Sequence, residues 1–276
     1  MNTTNPTNSA PSTIMFPNLP LELREIIYHH AILPEDLTSQ SQPVNFGAVD
    51  TRRGGDPFYL QWLQQLCRVN QATCVDVSLH LLRTTEFYLM YPEQAERFTM
   101  LLESLSESDQ GFAAIRKLDF QLFGRYEPSA GTRNICIELM KRCTGLTQVT
   151  LKFEAGYMTI GSCNWAEDVI IPPTMLWDFD LWTFDQTRIR ELEDIITIYR
   201  LDNLLDVESL QTLIIEAWPR IRVSDRHGTQ NVLVDCAPLI ERLVVWLREG
   251  FAARGRKVDV KYVGASSPGL RWSRRI

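Results

Sequence analysis

The sequence predicts an α/β fold, α+β over the whole chain, in which an N-terminal helical module precedes a repeat-like, curved α/β region with about five strands. Three observations predict it. Short segments with apolar residues at every second position are interleaved with segments in which they return every three or four positions, the strand and helix periods in turn. A strand pattern, apolar-x-x-apolar-x-apolar, recurs as Ile115/Leu118/Phe120, Leu146/Val149/Leu151 and Leu210/Leu213/Ile215, with starts 31 and then 64 residues apart. One strand and one helix per unit at a near-constant period marks stacked repeats, none of which buries its apolar face alone. Before residue 84 the period is helical only.

Residues 1–15, rich in Asn, Thr, Ser and Pro, read as a disordered leader. The helical module spans 16–83. Its first helix lies within Phe16–Leu33: Pro20 suits a first turn, Glu22 meets the positive end of the helix dipole, and Leu23, Ile26, Ile27, His30 and Ala31 form one apolar face before Pro34 stops it. Residues 34–58, with Gly54-Gly55 and Pro57, read as a loop insertion longer than compact domains usually carry. A second helical stretch covers 59–83, with a break allowed near Asn70.

The α/β region spans 84–265. Strands are expected at 84–90, 115–122, 146–153, 208–215 and 257–263, and helices at 93–105, 132–143, 188–201 and 236–249, the last closed by Gly250. A long aromatic and acidic segment, 155–186, interrupts the pattern, and 266–276 is a basic tail.

With 276 residues, 45% of them hydrophobic and 22% charged, most of the chain has the composition of folded protein. A net charge of −6 argues against broad nucleic-acid binding, which needs a basic face. Residues 254–276 depart from this balance, with seven basic residues and only Asp259 against them, which suits a solvated, frayed chain end or a contact with an acidic partner. No apolar run is long enough to cross a membrane, and residues 1–15 resemble neither a secretory signal nor a transit peptide. The expected location is therefore cytoplasmic and/or nuclear, where the six cysteines stay reduced as buried thiols.

Catalytic signatures are missing: no nucleophile elbow, no glycine-rich phosphate loop, no His-Glu-x-x-His. His29 and His30 are adjacent and point about 100° apart, unlike a metal pair at i, i+4. No cofactor, metal site or catalytic residue is expected. The densest chemistry is Trp177-Asp178-Phe179-Asp180-Leu181-Trp182-Thr183-Phe184-Asp185, three carboxylates and four aromatics in nine residues. Three readings stay open: aromatics packed on the core, a binding loop anchored by Trp177, Phe179, Trp182 and Phe184, or a hydrolase using carboxylates between Asp178 and Asp185.

Phe16-Pro17-Asn18-Leu19-Pro20-Leu21-Glu22-Leu23-Arg24-Glu25-Ile26-Ile27-Tyr28 resembles the opening of fungal F-box-like proteins of the LP-x-ELR-x-x-IY type. Leu66-Cys67-Arg68-Val69-Asn70-Gln71, followed by Leu81 to Phe87, resembles their second block, so the likeness covers about residues 16–90. The loop at 34–58 and the lack of an aromatic after the Cys-Arg element depart from that pattern. The resemblance implies a non-catalytic adaptor, a substrate-recognition subunit of a cullin–RING (SCF-type) ubiquitin ligase with a leucine-rich-repeat-like region for an unknown protein substrate. It places Leu19, Pro20, Leu23, Ile26, Ile27, Leu66 and Val69 on the surface that meets a Skp-type linker protein. A stand-alone interaction scaffold is the alternative, and it predicts that the same face is buried internally.

Overall fold

The alternating strand patterns become neighbours in one sheet. In the computed structural model, residues 19–32, 44–45, 71–105, 109–125, 133–161, 187–224 and 231–264 are described. The first strands in chain order are β1 (Val44–Asn45), β2 (Glu86–Leu89), β3 (Lys117–Phe120), β4 (Gln148–Glu154) and β5 (Thr159–Gly161). They are followed by β6 (Thr187–Ile189), β7 (Thr212–Trp218), β8 (Arg220–Ser224), β9 (Asn231–Asp235) and β10 (Asp259–Gly264). The α-helices are α1 (Leu21–Ile32), α2 (Gln71–Thr84), α3 (Pro92–Ser104), α4 (Gln110–Ala114), α5 (Ile135–Arg142), α6 (Leu192–Tyr199) and α7 (Ala237–Ala253).

The main sheet runs β1-β2-β3-β4-β7-β10 and every pairing in it is parallel, so the fold is mixed α/β. Sheet order follows chain order. Each crossover therefore steps to the adjacent position in the same direction, and the right-handed rule puts the crossover helices on one face. Two antiparallel pairs, β5–β6 and β8–β9, stand apart from this sheet.

The recurring sextets stack in register. Leu118 pairs with Val149, Val149 with Leu213 and Leu213 with Val260; one pleat further, Phe120, Leu151, Ile215 and Tyr262 do the same. Their leading residues, Ile115, Leu146 and Leu210, are buried as well. These rows meet Phe98 and Leu102 of α3, Leu139 and Met140 of α5, and Leu243 and Leu247 of α7 in one continuous core. The opposite pleat carries Tyr88, Asp119, Thr150, Lys152, Ile214 and Glu216, so the sheet is apolar on its helix face and mixed on the other.

Several expectations shift. The helix expected at 188–201 begins later, because residues 187–189 pair with β5 and the Glu191/Asp194 capping box opens α6 at Leu192. The strand expected from 208 starts at Thr212, since Val207–Leu210 closes a turn through Leu210 N–H to the Val207 carbonyl. Gly250 does not close α7. The helix continues to Ala253, Gly255 with φ +71° follows it, and a side chain at Gly250 would press on Leu205. Part of the basic C-terminal cluster is structural, for the half-buried Arg256 guanidinium donates to the carbonyls of Leu205, Glu208 and Leu210 at 3.0–3.1 Å. Residues 265–276 lie outside the described residues.

The turn before β4 requires glycine. The Gly145 carbonyl accepts from Arg116 Nη1 at 3.1 Å, and a Cβ at this position would fall on the Ala113 carbonyl and the Arg116 guanidinium. Gly145→Ala is expected to lower stability by about 2–3 kcal/mol in urea denaturation, the usual scale of overpacking against backbone. A loss below about 0.5 kcal/mol would contradict that packing.

Candidate functional site

α1 begins as the sequence predicts. The Pro20 carbonyl accepts from the N–H groups of Leu23 and Arg24 at 3.1 Å, and Glu22 sits in the first turn. Its mode of attachment differs from that of an ordinary amphipathic helix, because polar groups hold it down. Arg24 pairs with Asp76 of α2 and also donates to the Leu19 carbonyl at 3.0 Å. Tyr28, one turn on, is buried and donates to the same Asp76 carboxylate at 2.7 Å, while its ring lies 5.7 Å from that of His80. Burial first, and then the Asp76 carboxylate, push the Tyr28 phenol up to about 12, so it remains a donor at neutral pH. Glu25 lies 3.9 Å from His80 and 3.8 Å from Arg83.

With these residues turned inward, the apolar residues of α1 face outward. Leu21, Leu23, Ile26 and Ile27 are 40%, 48%, 55% and 36% exposed. They are four of the ten large exposed hydrophobics among the described residues, all within seven positions. Scattered exposed apolar residues are ordinary, whereas these four share one helix. Of the expected linker-contact set, Leu19 is half-buried and Pro20 exposed beside this cluster. Leu66 and Val69 lie outside the described residues, as do Trp177, Phe179, Trp182 and Phe184 with the carboxylates Asp178 to Asp185.

Sequence reasoning missed a second feature, a charge network on the outer pleat of the sheet. Lys152 Nζ lies 3.4 Å from Asp119 Oδ2 and 3.1 Å from Glu216 Oε2, and the three side chains are 14%, 6% and 25% exposed. Gln121 Nε2 donates to Asp119 Oδ2 at 2.7 Å, whereas Asp119 Oδ1 is buried with no hydrogen-bond partner among the described residues. Desolvation raises the Asp119 carboxyl to about 6 from an ordinary 3.8, against the pull of Lys152. The signal was present in the sequence. Each charge sits between two core residues of an alternating strand, Leu118/Phe120, Leu151/Phe153 and Ile215/Ala217, but only the strand order shows that they meet.

Of the four described cysteines, Cys74 is half-buried rather than buried as expected, and Cys136, Cys143 and Cys236 are buried; burial raises these three thiols, Cys236 to about 11, which keeps them protonated. Among the described residues no group of His, Cys, Asp and Glu has the arrangement to hold a metal ion, and no helix is long and apolar enough to cross a membrane. Comparison with known proteins finds no family model, no curated protein and no solved structure that matches this chain.

Proposed function

We propose that this chain is a non-catalytic interaction adaptor, the substrate-recognition subunit of a cullin–RING (SCF-type) ubiquitin ligase, and that α1 docks on a Skp-type linker protein. One observation carries the reading: α1 is fastened through Arg24, Tyr28 and Asp76 while Leu21, Leu23, Ile26 and Ile27 face outward. A scaffold using the same helix only to close its own core would turn those residues in. Leu23, Ile26 and Ile27 lie on the side of α1 away from Tyr28, and covering a half-exposed Leu or Ile side chain contributes about 1 kcal/mol, so a linker that covers these three gains a few kcal/mol from this face alone. The F-box-like reading of α1 and α2 rests on the Leu-Pro-x-Glu-Leu-Arg segment and this outward face. The leucine-rich-repeat-like reading of the sheet is supported by strand order following chain order and by the in-register sextets.

The test is co-expression with a Skp-type linker from a fungal host, followed by affinity capture of the tagged chain. Wild type is expected to retain the linker. Leu23→Glu/Ile26→Glu is expected to lose it with its melting temperature unchanged, since both side chains are already about half exposed. Leu19→Ala/Pro20→Ala should weaken capture as well. No linker on the wild-type chain, or equal capture by the double glutamate variant, contradicts the proposal.

A further inference from the structure

β10 ends the main sheet. Among the described residues it pairs with β7 on one side and with no strand on the other. Along a strand, the backbone groups of successive residues point to opposite sides. The Asp259 N–H donates to the Gln211 carbonyl at 2.8 Å, so Asp259, Lys261 and Val263 turn their N–H and C=O groups to β7, and Val260 and Tyr262 turn theirs to the open edge. A row of outward N–H and C=O groups is a template for one more strand. One of these groups is taken from within the chain. Arg248, exposed on α7, donates to the Val260 carbonyl through Nε at 3.1 Å and Nη2 at 2.7 Å. A carbonyl oxygen has two lone pairs, so these two donors fill it.

The edge is complementary to itself. Two copies of β10 can run antiparallel about a two-fold axis, and the residue on the axis sets the register. With Val260 on the axis, the two Val260 residues exchange both backbone hydrogen bonds. Asp259 then faces Lys261 of the second copy, and Lys261 faces its Asp259. Lys261 and Asp259 are 55% and 60% exposed and lie 2.9 Å apart within their own strand, so the pairing brings four charges into one alternating ring. On the helix side of the sheet Val258, just before β10, faces Tyr262 of the second copy, and both are half-buried against the core. The neighbouring registers match less well. Lys261 on the axis sets lysine against lysine, and Tyr262 on the axis sets Lys261 against Val263. The matched register is the one that needs the Val260 carbonyl, which Arg248 fills.

We infer that the β10 edge fits a second copy of this chain and that Arg248 holds the surface closed. Val245, three residues before Arg248 on the same side of α7, is 48% exposed and adds apolar area beside the edge. Each copy carries one such edge, so the contact closes at two chains. Neither α1 nor the adaptor reading takes part in it.

Sedimentation velocity of the full chain at rising concentration tests it. Wild type is expected to sediment as a single chain. Arg248→Met keeps the aliphatic stem and removes the guanidinium, so the variant should fold as wild type and reach twice the mass of one chain. Arg248→Lys is the second variant. Its ammonium can still donate to the Val260 carbonyl but does not hold both lone pairs in the fixed fork of a guanidinium, so it should dimerise more weakly than the methionine variant. Adding Asp259→Lys to Arg248→Met sets lysine against lysine in the matched register, at a side chain that is already exposed, and should return the protein to the mass of one chain. Four results overturn the proposal: both Arg248 variants remaining single chains, wild type associating as strongly as Arg248→Met, growth of the variants past two chains, or a dimer that Asp259→Lys leaves intact.

Discussion

Replacing Lys152 with methionine is expected to cost about 3–5 kcal/mol of folding stability near pH 8, and far less below about pH 5. Methionine matches the length of the lysine stem and keeps its packing, so the loss isolates the charge. Lys152 stands between the carboxylates of Asp119 and Glu216, and with the cation gone two poorly solvated negative groups face each other on the outer pleat. The pH dependence follows from Asp119. Its folded-state value of about 6 lies above the ordinary 3.8, so the folded chain binds this proton more tightly than the unfolded chain. The contribution from this group is fully present below about pH 4 and is lost as pH rises through about 6. For a group this buried, the charged form at neutral pH costs on the order of 3 kcal/mol. Without Lys152 the Asp119 carboxyl rises further, so the deficit of the methionine variant grows toward higher pH and shrinks in acid, where Asp119 is neutral. Asp119→Asn should flatten the decline between about pH 4 and pH 6, because its amide does not titrate. Urea unfolding of the three proteins at about pH 5 and pH 8 measures all of this. A methionine variant that loses less than about 1 kcal/mol at pH 8, or the same amount at both values, would show that the network carries no such strain.

Tyr199→Ala is expected to lower stability by about 4 kcal/mol, the scale of a large-to-small change at a fully buried aromatic. Tyr199 joins three parts of the fold. Its ring lies 5.8 Å from Phe123 and 5.7 Å from Phe153, both buried, and these contacts tie α6 to β4 and to the short helical turn at Phe123–Arg125. Its hydroxyl donates to the Gly124 carbonyl at 2.5 Å, and its own carbonyl accepts from Asn134. Tyr199→Phe keeps the ring and leaves the Gly124 carbonyl without this donor, so a loss of about 1–2 kcal/mol is expected. Guanidinium denaturation separates the two. Equal losses would place the energy in the hydroxyl, and a loss under about 1 kcal/mol for alanine would remove Tyr199 from the core.

The sheet from β2 onward was legible in the sequence because its strands alternate strongly and the helices between them keep a clean period, whereas β1, two residues within the stretch read as a loop insertion, was not. Ile115/Leu118/Phe120 and its two counterparts are the clearest case, and their register in the sheet matches their position in the pattern. The small antiparallel pairs were harder to read. Thr187-Arg188-Ile189 is short and polar, and only its pairing with β5 makes it a strand. Ile221/Val223 and Val232/Val234 do alternate, but Pro219 separates them from β7 and they pair only with each other. The apolar positions of α1 were visible as a stripe, yet periodicity does not tell which side of a stripe meets the core. That was settled by Arg24 and Tyr28 reaching Asp76, 52 and 48 residues away. The Asp119–Lys152–Glu216 network was hidden for the same reason, since its members come from three strands whose order the sequence does not state.

The docking of α1 is tested most directly by amide hydrogen exchange on the purified chain, alone and with a Skp-type linker in excess. The exposed apolar side of α1 predicts that the linker slows exchange in the segment 21–28 and leaves the strands at 117–120, 148–154 and 212–218 unchanged. Exchange in 21–28 that is the same with and without the linker would contradict it.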